Sequence, residues 1–392
     1  MKTIALNDIS PYIEIKNYPL KTGMLEVRIR RSAIPIDNIF GIAGRPNAKR
    51  PFHFVNRLLG KHIPTRLADM QLVHRLLAKE ILAKPLVFPV LFVTFAEAAT
   101  CMGESIFAEI CKNISEGVCF QRTTRHHFDR PIAFSCLEHH SHAPYHYFYY
   151  PKEGSPERTI FDTAKSIILI DDEFTTANTA CSFLKNYLAL NKNVLSIFFV
   201  CQTNWISHKH LQEIASAFPC NIEFISLADG DIEFFPNHLF FSNSDNWNSE
   251  GNGYSMDLRV VREIDSRFGI LAAEILSNFR MIQDYIITKP KRLLVLGTGE
   301  FNYLPFLYAQ SLEYAGHDVT FYSTTRTPLL VGGIIDNVMN FKDNYGEGID
   351  NFLYNYNSKQ YDNVIICYET PLPSVEHNLA ETINAHSVFF EQ

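Results

Sequence analysis

The eight cysteines of this 392-residue chain include no CxxC pair. That spacing is the commonest mark of a zinc or dithiol site, so scattered reduced thiols are expected instead. The N-terminal stretch MKTIALNDISPY lacks the apolar core of a secretory signal. No run approaches the roughly 20 apolar residues that a membrane-spanning helix needs. Basic residues are outnumbered, 35 Lys and Arg against 42 Asp and Glu, for a formal net charge of −7. A general nucleic-acid binder would be basic. A cytoplasmic protein is expected, with neither nucleic acid nor membrane as partner.

Apolar bulk is plentiful. Hydrophobic residues make up 46% of the chain and 31 residues are Phe. At this length two domains are expected.

The chain is organised around Ser166 to Lys185, SIILIDDEFTTANTACSFLK. Ile167 to Ile170 is an apolar run long enough for a buried strand. Asp171 and Asp172 stand at its C-terminal end. Thr175, Thr176, Ala177, Asn178 and Thr179 then lead into a helical pattern from Thr179 to Leu188. In an open parallel sheet, ligands bind just past the C-terminal ends of strands. Paired acids there can accept hydrogen bonds from a vicinal diol. A helix start offers free N–H groups and positive potential to a phosphate. Diol and phosphate together describe a 5-phosphoribosyl group; a core strand followed by a threonine cap is the plainer alternative.

This stretch resembles the diphosphate-sugar motif of type I phosphoribosyltransferases: strand, two acids, two variable residues, hydroxyl-rich loop. The match is carried by Ile170, Asp171, Asp172, Thr175, Thr176 and Thr179. Family members usually carry Gly where Ala177 stands, and Ala at positive φ costs about 1 kcal/mol or more. Asn178 tolerates that geometry better, so the bend is expected one residue later.

Further candidates lie along the chain. Leu67 to Leu82 has helical spacing. Arg45, Lys49, Arg50, Arg57, Lys61 and His62 form a basic cluster, either a solvated face or a contact to phosphate or pyrophosphate. Val87 to Phe95 reads as a buried strand running into Ala96, Glu97, Ala98 and Ala99. The family resemblance makes that turn a pyrophosphate loop. Residues 119–150 hold six of the 15 histidines. They read as a transition-metal site on His140, His142 and His146, as a solvated aromatic loop, or as a closing hood. The resemblance favours a hood between the first and second core strands, with Arg125 neutralising pyrophosphate and His140 or His142 as proton donor or acceptor. The family also places base-contacting loops where Gln202 to Trp205 stands. Asn243 to Tyr254 is polar and Gly/Asn-rich, as a linker would be. Leu258 to Ile286 has helical spacing. Strand ends then present Gly297, Thr298, Gly299 and Glu300, next Ser323 to Thr327, and finally Glu369. Gly297, Thr298, Gly299, Thr325 and Arg326 are a candidate anion site, an ordinary β–α loop being the alternative. The dinucleotide fingerprint is not met, because Asn302 occupies the third glycine position.

Taken together, the blocks are similar to a narrower family. It is the phosphoribosyltransferase-like protein of bacterial tellurite-resistance and stress-response gene clusters, with its dedicated C-terminal (TRSP-type) domain. The matching blocks are AKRPFHFVNRLLGKHIP (48–64), FAEAATCMG (95–103), TTRHH (123–127), EHHSHA (138–143), LIDDEFTTANT (169–179), LGTGEFNYLPF (296–306) and STTRTP (323–328). Thr327 stands where Ser is expected in the last.

The resemblance implies an α/β fold: a type I phosphoribosyltransferase-like parallel sheet with a hood insertion, then a smaller Rossmann-like α/β domain. The boundaries expected are 1–242 for the first domain, with the hood at about 119–150, 243–254 for the linker and 255–392 for the second domain. It also implies transfer from 5-phosphoribosyl diphosphate to a base-like acceptor in a nucleoside-like metabolite pathway. In that reading Asp171 and Asp172 hold the ribose and stabilise developing charge. Thr175 to Thr179 bind the 5-phosphate, and Ala96, Glu97 and Ala98 face pyrophosphate with Lys61 as a counter-charge. Mg²⁺ is held mainly by substrate and water. The second domain serves the acceptor or a partner enzyme of the pathway, and a homodimer is compatible. Two rivals are a non-catalytic phosphoribosyl-ligand sensor and a hydrolase built on the histidine cluster.

Overall fold

The computed structural model describes residues 12–137, 145–237, 239–240, 265–277, 289–370 and 377–390. Its larger sheet has nine strands among these residues. They run in the order Glu14–Leu20, Gly23–Ser32, Asn221–Pro236, Ser196–Asn204, Ser166–Ile170, Val90–Thr94, Val118–Arg122 and Ile270–Leu271, with Glu173–Phe174 beside Ser196–Asn204. From Asn221–Pro236 to Val118–Arg122 all neighbours are parallel. Parallel strands are covered on both faces, which explains the continuous apolar runs SIILI and VLFVT, buried throughout.

Alternation divides those runs between two cores. Ile167 and Leu169 face the helices Pro156–Thr163, Asn178–Leu190 and His208–Ala217. Ile168 and Ile170 face Leu67–Leu82 and Thr100–Cys111. Numbered along the chain, the parallel strands stand in the order 2-1-3-4-5. The order therefore reverses between Val90–Thr94 and Ser166–Ile170, and a ligand crevice is expected at that switch point.

The second sheet runs His386–Phe389, Asn363–Tyr368, Arg292–Gly297, Asp318–Ser323 and Thr65–Arg66. Its first four strands are parallel. The fifth comes from the N-terminal half and pairs antiparallel to Asp318–Ser323. In return, Ile270–Leu271 pairs antiparallel to Val118–Arg122 of the first sheet. Each half thus covers an edge of the other's sheet. The helix Tyr303–Tyr314 packs both ways: Tyr303 and Leu307 join the core under the first sheet, Phe306 and Leu312 that of the second.

Three expectations need correction or restriction. Val118–Arg122 is a core strand, so the insertion follows the second core strand, not the first. Its described part is the hairpin Ile132–Leu137 with Tyr145–Tyr149. Residues 119–122 are therefore not hood. Gln121 and Arg122 disguise the strand, because both are buried on partners from elsewhere in the chain: Gln121 Nε2 donates to the Tyr149 and Arg267 carbonyls at 2.6 and 2.9 Å, and Arg122 Nη1 to Glu300. The helix expected over 258–286 is, in its described part, the turn Ser266–Phe268, the strand Ile270–Leu271 and the helix Ala272–Ser277. Gly269 breaks the pattern, with φ 98° and close packing on Glu157. The linker expected at 243–254 lies outside the described residues.

Candidate active site at the switch point

Two loops face each other across the crevice. Phe95 to Ala99 leaves Val90–Thr94 and enters the helix Thr100–Cys111; Asp171 to Ala177 leaves Ser166–Ile170 and enters Asn178–Leu190. Ala96, Glu97, Ala98, Asp171, Asp172 and Thr179 all line one cleft.

Asp171 Oδ1 accepts from the Asp172 N–H at 3.0 Å. Burial raises the pKa of the Asp172 carboxyl, and the charge of Arg50 opposes the shift. Glu173 is the next acid. Burial pushes it up to about 7, although Arg50 hydrogen-bonds it. Ala177 has φ 53° and ψ 22°. The left-handed residue is therefore Ala177 itself, while Asn178 begins the helix. Thr179 turns into the cleft, whereas Thr176 and Asn178 are exposed. The first-turn N–H groups of this helix have no partners within it.

The facing loop is tied from several sides. The Ala96–Glu97 peptide is cis. Ala96 N–H donates to Thr123 Oγ1 at 3.0 Å, and Thr123 Oγ1 lies 3.0 Å from His146 Nδ1. Arg125 Nη2 donates to the Ala96 carbonyl at 3.3 Å. Burial pushes the Glu97 carboxyl up, but Lys61 and Arg326 outweigh it and hold it below its ordinary value. Lys61 is itself buried. Its ammonium lies 2.7 Å from Glu97 Oε1 and donates to the carbonyls of Gly299 and Thr324, both at 2.7 Å. All three of its donors are engaged.

The hairpin Phe40–Gly44 with Phe52–Asn56 walls the other end through Arg45, Arg50 and His53, and His62 packs edge-on against His53. Burial drives both imidazoles neutral, His62 down to about 3. Among the described residues their ring nitrogens have no hydrogen-bond partner.

The C-terminal half enters the same cleft. Thr325, Arg326 and Thr327 line it. Gly297, Thr298 and Gly299 do not: Thr298 Oγ1 donates to the Cys367 carbonyl at 3.1 Å, and Gly299 N–H to Thr324 Oγ1 at 3.0 Å. Glu300 reaches behind Arg125. Its carboxylate takes Arg122 Nη1 at 2.5 Å, Thr124 Oγ1 at 2.7 Å and the Arg125 N–H at 3.2 Å, with His126 Nε2 at 3.1 Å. Burial opposes its charge, but Arg122 and His126 keep the pKa low.

His140 and His142 lie outside the described residues; among the described histidines of that cluster His146 lines the cleft. Gln202 and Trp205 are buried in packing. Gln202 accepts from Asn56 Nδ2 at 2.8 Å, and Trp205 stacks on Phe54 at 4.9 Å. Sequence reasoning passed over Glu173, His53 and the carboxylate web of Glu300. Glu173 carried a signal, since it is a third acid in a row after the apolar run Ile167 to Ile170.

A 2-1-3-4-5 parallel core with paired acids and a hydroxyl-rich loop at its switch point bears out the expected type I phosphoribosyltransferase-like sheet. A family model described as phosphoribosyl transferase matches residues 39–231, and one described as the TRSP domain C-terminal to it matches residues 264–384. The chain belongs to the family in which this phosphoribosyl transferase domain is followed by a TRSP domain. Among solved structures, it is similar to adenine phosphoribosyltransferase from Trypanosoma brucei, at 11% identity and TM-score 0.34, covering 49% of this chain and 76% of that one. It is similar to the enzyme of the same name from Leishmania donovani, at 16% identity and TM-score 0.34, covering 48% and 75%. A hypoxanthine phosphoribosyltransferase from Staphylococcus aureus follows at 14% identity and TM-score 0.25, covering 38% and 68%. No curated protein matches the chain. Among the described residues no helix is long and apolar enough to cross a membrane.

Proposed function

We propose that this phosphoribosyltransferase moves the 5-phosphoribosyl group of 5-phosphoribosyl diphosphate onto a base-like acceptor. The observation that carries the reading is the convergence of Asp171, Asp172 and Thr179 with Ala96 to Ala98 on one cleft. The acid pair accepts hydrogen bonds from the ribose hydroxyls and stabilises positive charge as the bond from C1 to pyrophosphate breaks. Backbone N–H groups from Thr175 to Thr179 hold the 5-phosphate at the positive end of Asn178–Leu190. Pyrophosphate leaves toward the Ala96–Ala98 loop, and Arg125 and His146 border that path. The new bond forms between C1 and a nitrogen of the acceptor.

Mg²⁺ fits this donor set. Glu97 is committed to Lys61 and Glu173 to Arg50, which leaves few free carboxylates. Mg²⁺ favours such sites, bound by substrate phosphates and water with one or two carboxylates. When bound it neutralises charge on the leaving pyrophosphate. A cytoplasmic setting and a nucleoside-like pathway tied to tellurite or stress response belong to the same reading. They rest on the seven sequence blocks and the buried thiols.

Calorimetric titration with Mg-phosphoribosyl diphosphate tests it. A charge-assisted hydrogen bond is worth about 1.5–3 kcal/mol. The double variant Asp171→Asn/Asp172→Asn is therefore expected to bind at least about tenfold more weakly than wild type. Equal affinity in the two proteins, or no binding by wild type, would sink the proposal.

A further inference from the structure

Arg326 is the least employed cation in the cleft. Its side chain is only 13% exposed, yet its nearest partners are Glu97 Oε2 at 3.9 Å and Glu347 Oε2 at 3.8 Å. Both distances are beyond hydrogen bonding, and among the described residues the guanidinium makes no hydrogen bond. Both carboxylates feel its charge, but each has a nearer partner. Glu97 has Lys61 at 2.7 Å, and Glu347 has His126 Nδ1 at 3.2 Å. An ordinary ion pair between the two halves would not leave five donors idle.

The mount, by contrast, is firmly held on both sides. Thr325 exchanges backbone hydrogen bonds with Phe352 at 3.1 and 2.8 Å. Thr327 N–H donates to Thr325 Oγ1 at 3.2 Å, and the Thr327 carbonyl accepts from Tyr354 OH at 2.8 Å. A rigid backbone that presents an unsatisfied guanidinium into a cleft is a prepared anion site. The planar fork matches phosphate oxygens in pairs. The loop it borders, Ala96 to Ala98, is the one assigned above to pyrophosphate.

We propose that Arg326 binds the diphosphate group of the substrate, so that the C-terminal domain completes the active site in cis. The inference rests on the phosphoribosyltransferase reading of the cleft. It merges the separate anion site expected at 297–299 and 325–326 into that cleft, with Arg326 as its working cation. The ligand chemistry is a diphosphate, either free or carried on ribose 5-phosphate.

The test uses the full chain with Mg²⁺. Inorganic pyrophosphate, ribose 5-phosphate and phosphoribosyl diphosphate are each titrated into wild type, Arg326→Gln and Arg326→Lys. Arg326→Gln keeps a planar polar head, and both carboxylates keep their nearer partners, so it is expected to melt with wild type. Pyrophosphate and phosphoribosyl diphosphate should bind Arg326→Gln roughly tenfold more weakly or worse, as loss of charge-assisted bonds requires. Ribose 5-phosphate should bind equally, and Arg326→Lys should fall between. If pyrophosphate affinity is unchanged while ribose 5-phosphate binds wild type, the inference fails and the phosphoribosyl site stands. If the variant weakens all three ligands equally, Arg326 only supports the cleft and the inference also fails. If wild type binds none of them, both readings fall together.

Discussion

Lys61 Nζ lies 2.7 Å from Glu97 Oε1 while it donates to carbonyls of two C-terminal loops. One ammonium thus joins the loop before the Leu67–Leu82 helix, the proposed pyrophosphate loop and the strand ends of the second sheet. Burial lowers its pKa, and Glu97 opposes the shift. Lys61→Met would leave Glu97 buried without its nearest cation and two carbonyls without a donor. Breaking one side of a buried pair costs about 3–5 kcal/mol. A urea titration should show a loss of that size; a loss under about 1 kcal/mol would mean that solvent already supports the pair.

Ala177 sits at φ 53°, where a Cβ crowds the backbone. Glycine relieves that cost but gives up a buried methyl and gains freedom in the unfolded chain. The balance favours Ala177→Gly by about 0.5–1 kcal/mol. The urea midpoint should rise with an unchanged slope, and ribose 5-phosphate affinity should hold. A lower midpoint would show that the methyl's packing outweighs the backbone.

Glu104 lies in the buried web behind the cleft. Its Oε1 accepts from Ser266 Oγ at 2.6 Å, and Ser266 accepts from Arg122 Nε at 3.1 Å. Burial raises its pKa from 4.5 to about 7, with Arg122 opposing. The folded chain therefore keeps a proton that the unfolded chain releases above its ordinary pKa. This contribution to stability is fully present at low pH and is lost as pH climbs toward 7. Glu104→Gln does not titrate, so it should match wild type near pH 4 and exceed it at pH 8 by on the order of 3 kcal/mol. Denaturation curves at the two pH values decide; a gap that does not change with pH would refute the assignment.

A chain cut at residue 242 should not fold as a stable unit. It would lose Ile270–Leu271 from the edge of Val118–Arg122, the Arg267 carbonyl from Gln121 and the Glu300 carboxylate from Arg122. The apolar face that Ile270, Ile275, Tyr303 and Leu307 cover would then meet water, which is unfavourable. Scanning calorimetry of residues 1–242 is expected to show no cooperative transition near that of the full chain. Melting at the same temperature would show that the halves are independent.

Local pattern made much of the first sheet legible. SIILI and VLFVT are apolar on both faces because their strands are covered on both faces. Asp171, Asp172 and the threonines after them lie within ten residues of each other, so strand, acids and loop could be read as one unit. Val118–Arg122 was harder, because Gln121 and Arg122 look like surface residues until their partners are known. The left-handed position was placed one residue late, at Asn178, since local propensity favours Asn over Ala there. The helix start settled it at Ala177.

The sequence by itself determined the strands, the acid pair and the hydroxyl loop, because each depends on neighbours along the chain. Tertiary structure alone decided which distant segments share the cleft. Thr325, Arg326 and Thr327 reach it because Tyr303–Tyr314 packs between the two cores and each half lends a strand to the other. Arg122 and Glu300 meet across 178 positions of chain. A buried charge carries no local mark of its partner, since the low dielectric that makes the pair necessary exists only once the halves have closed.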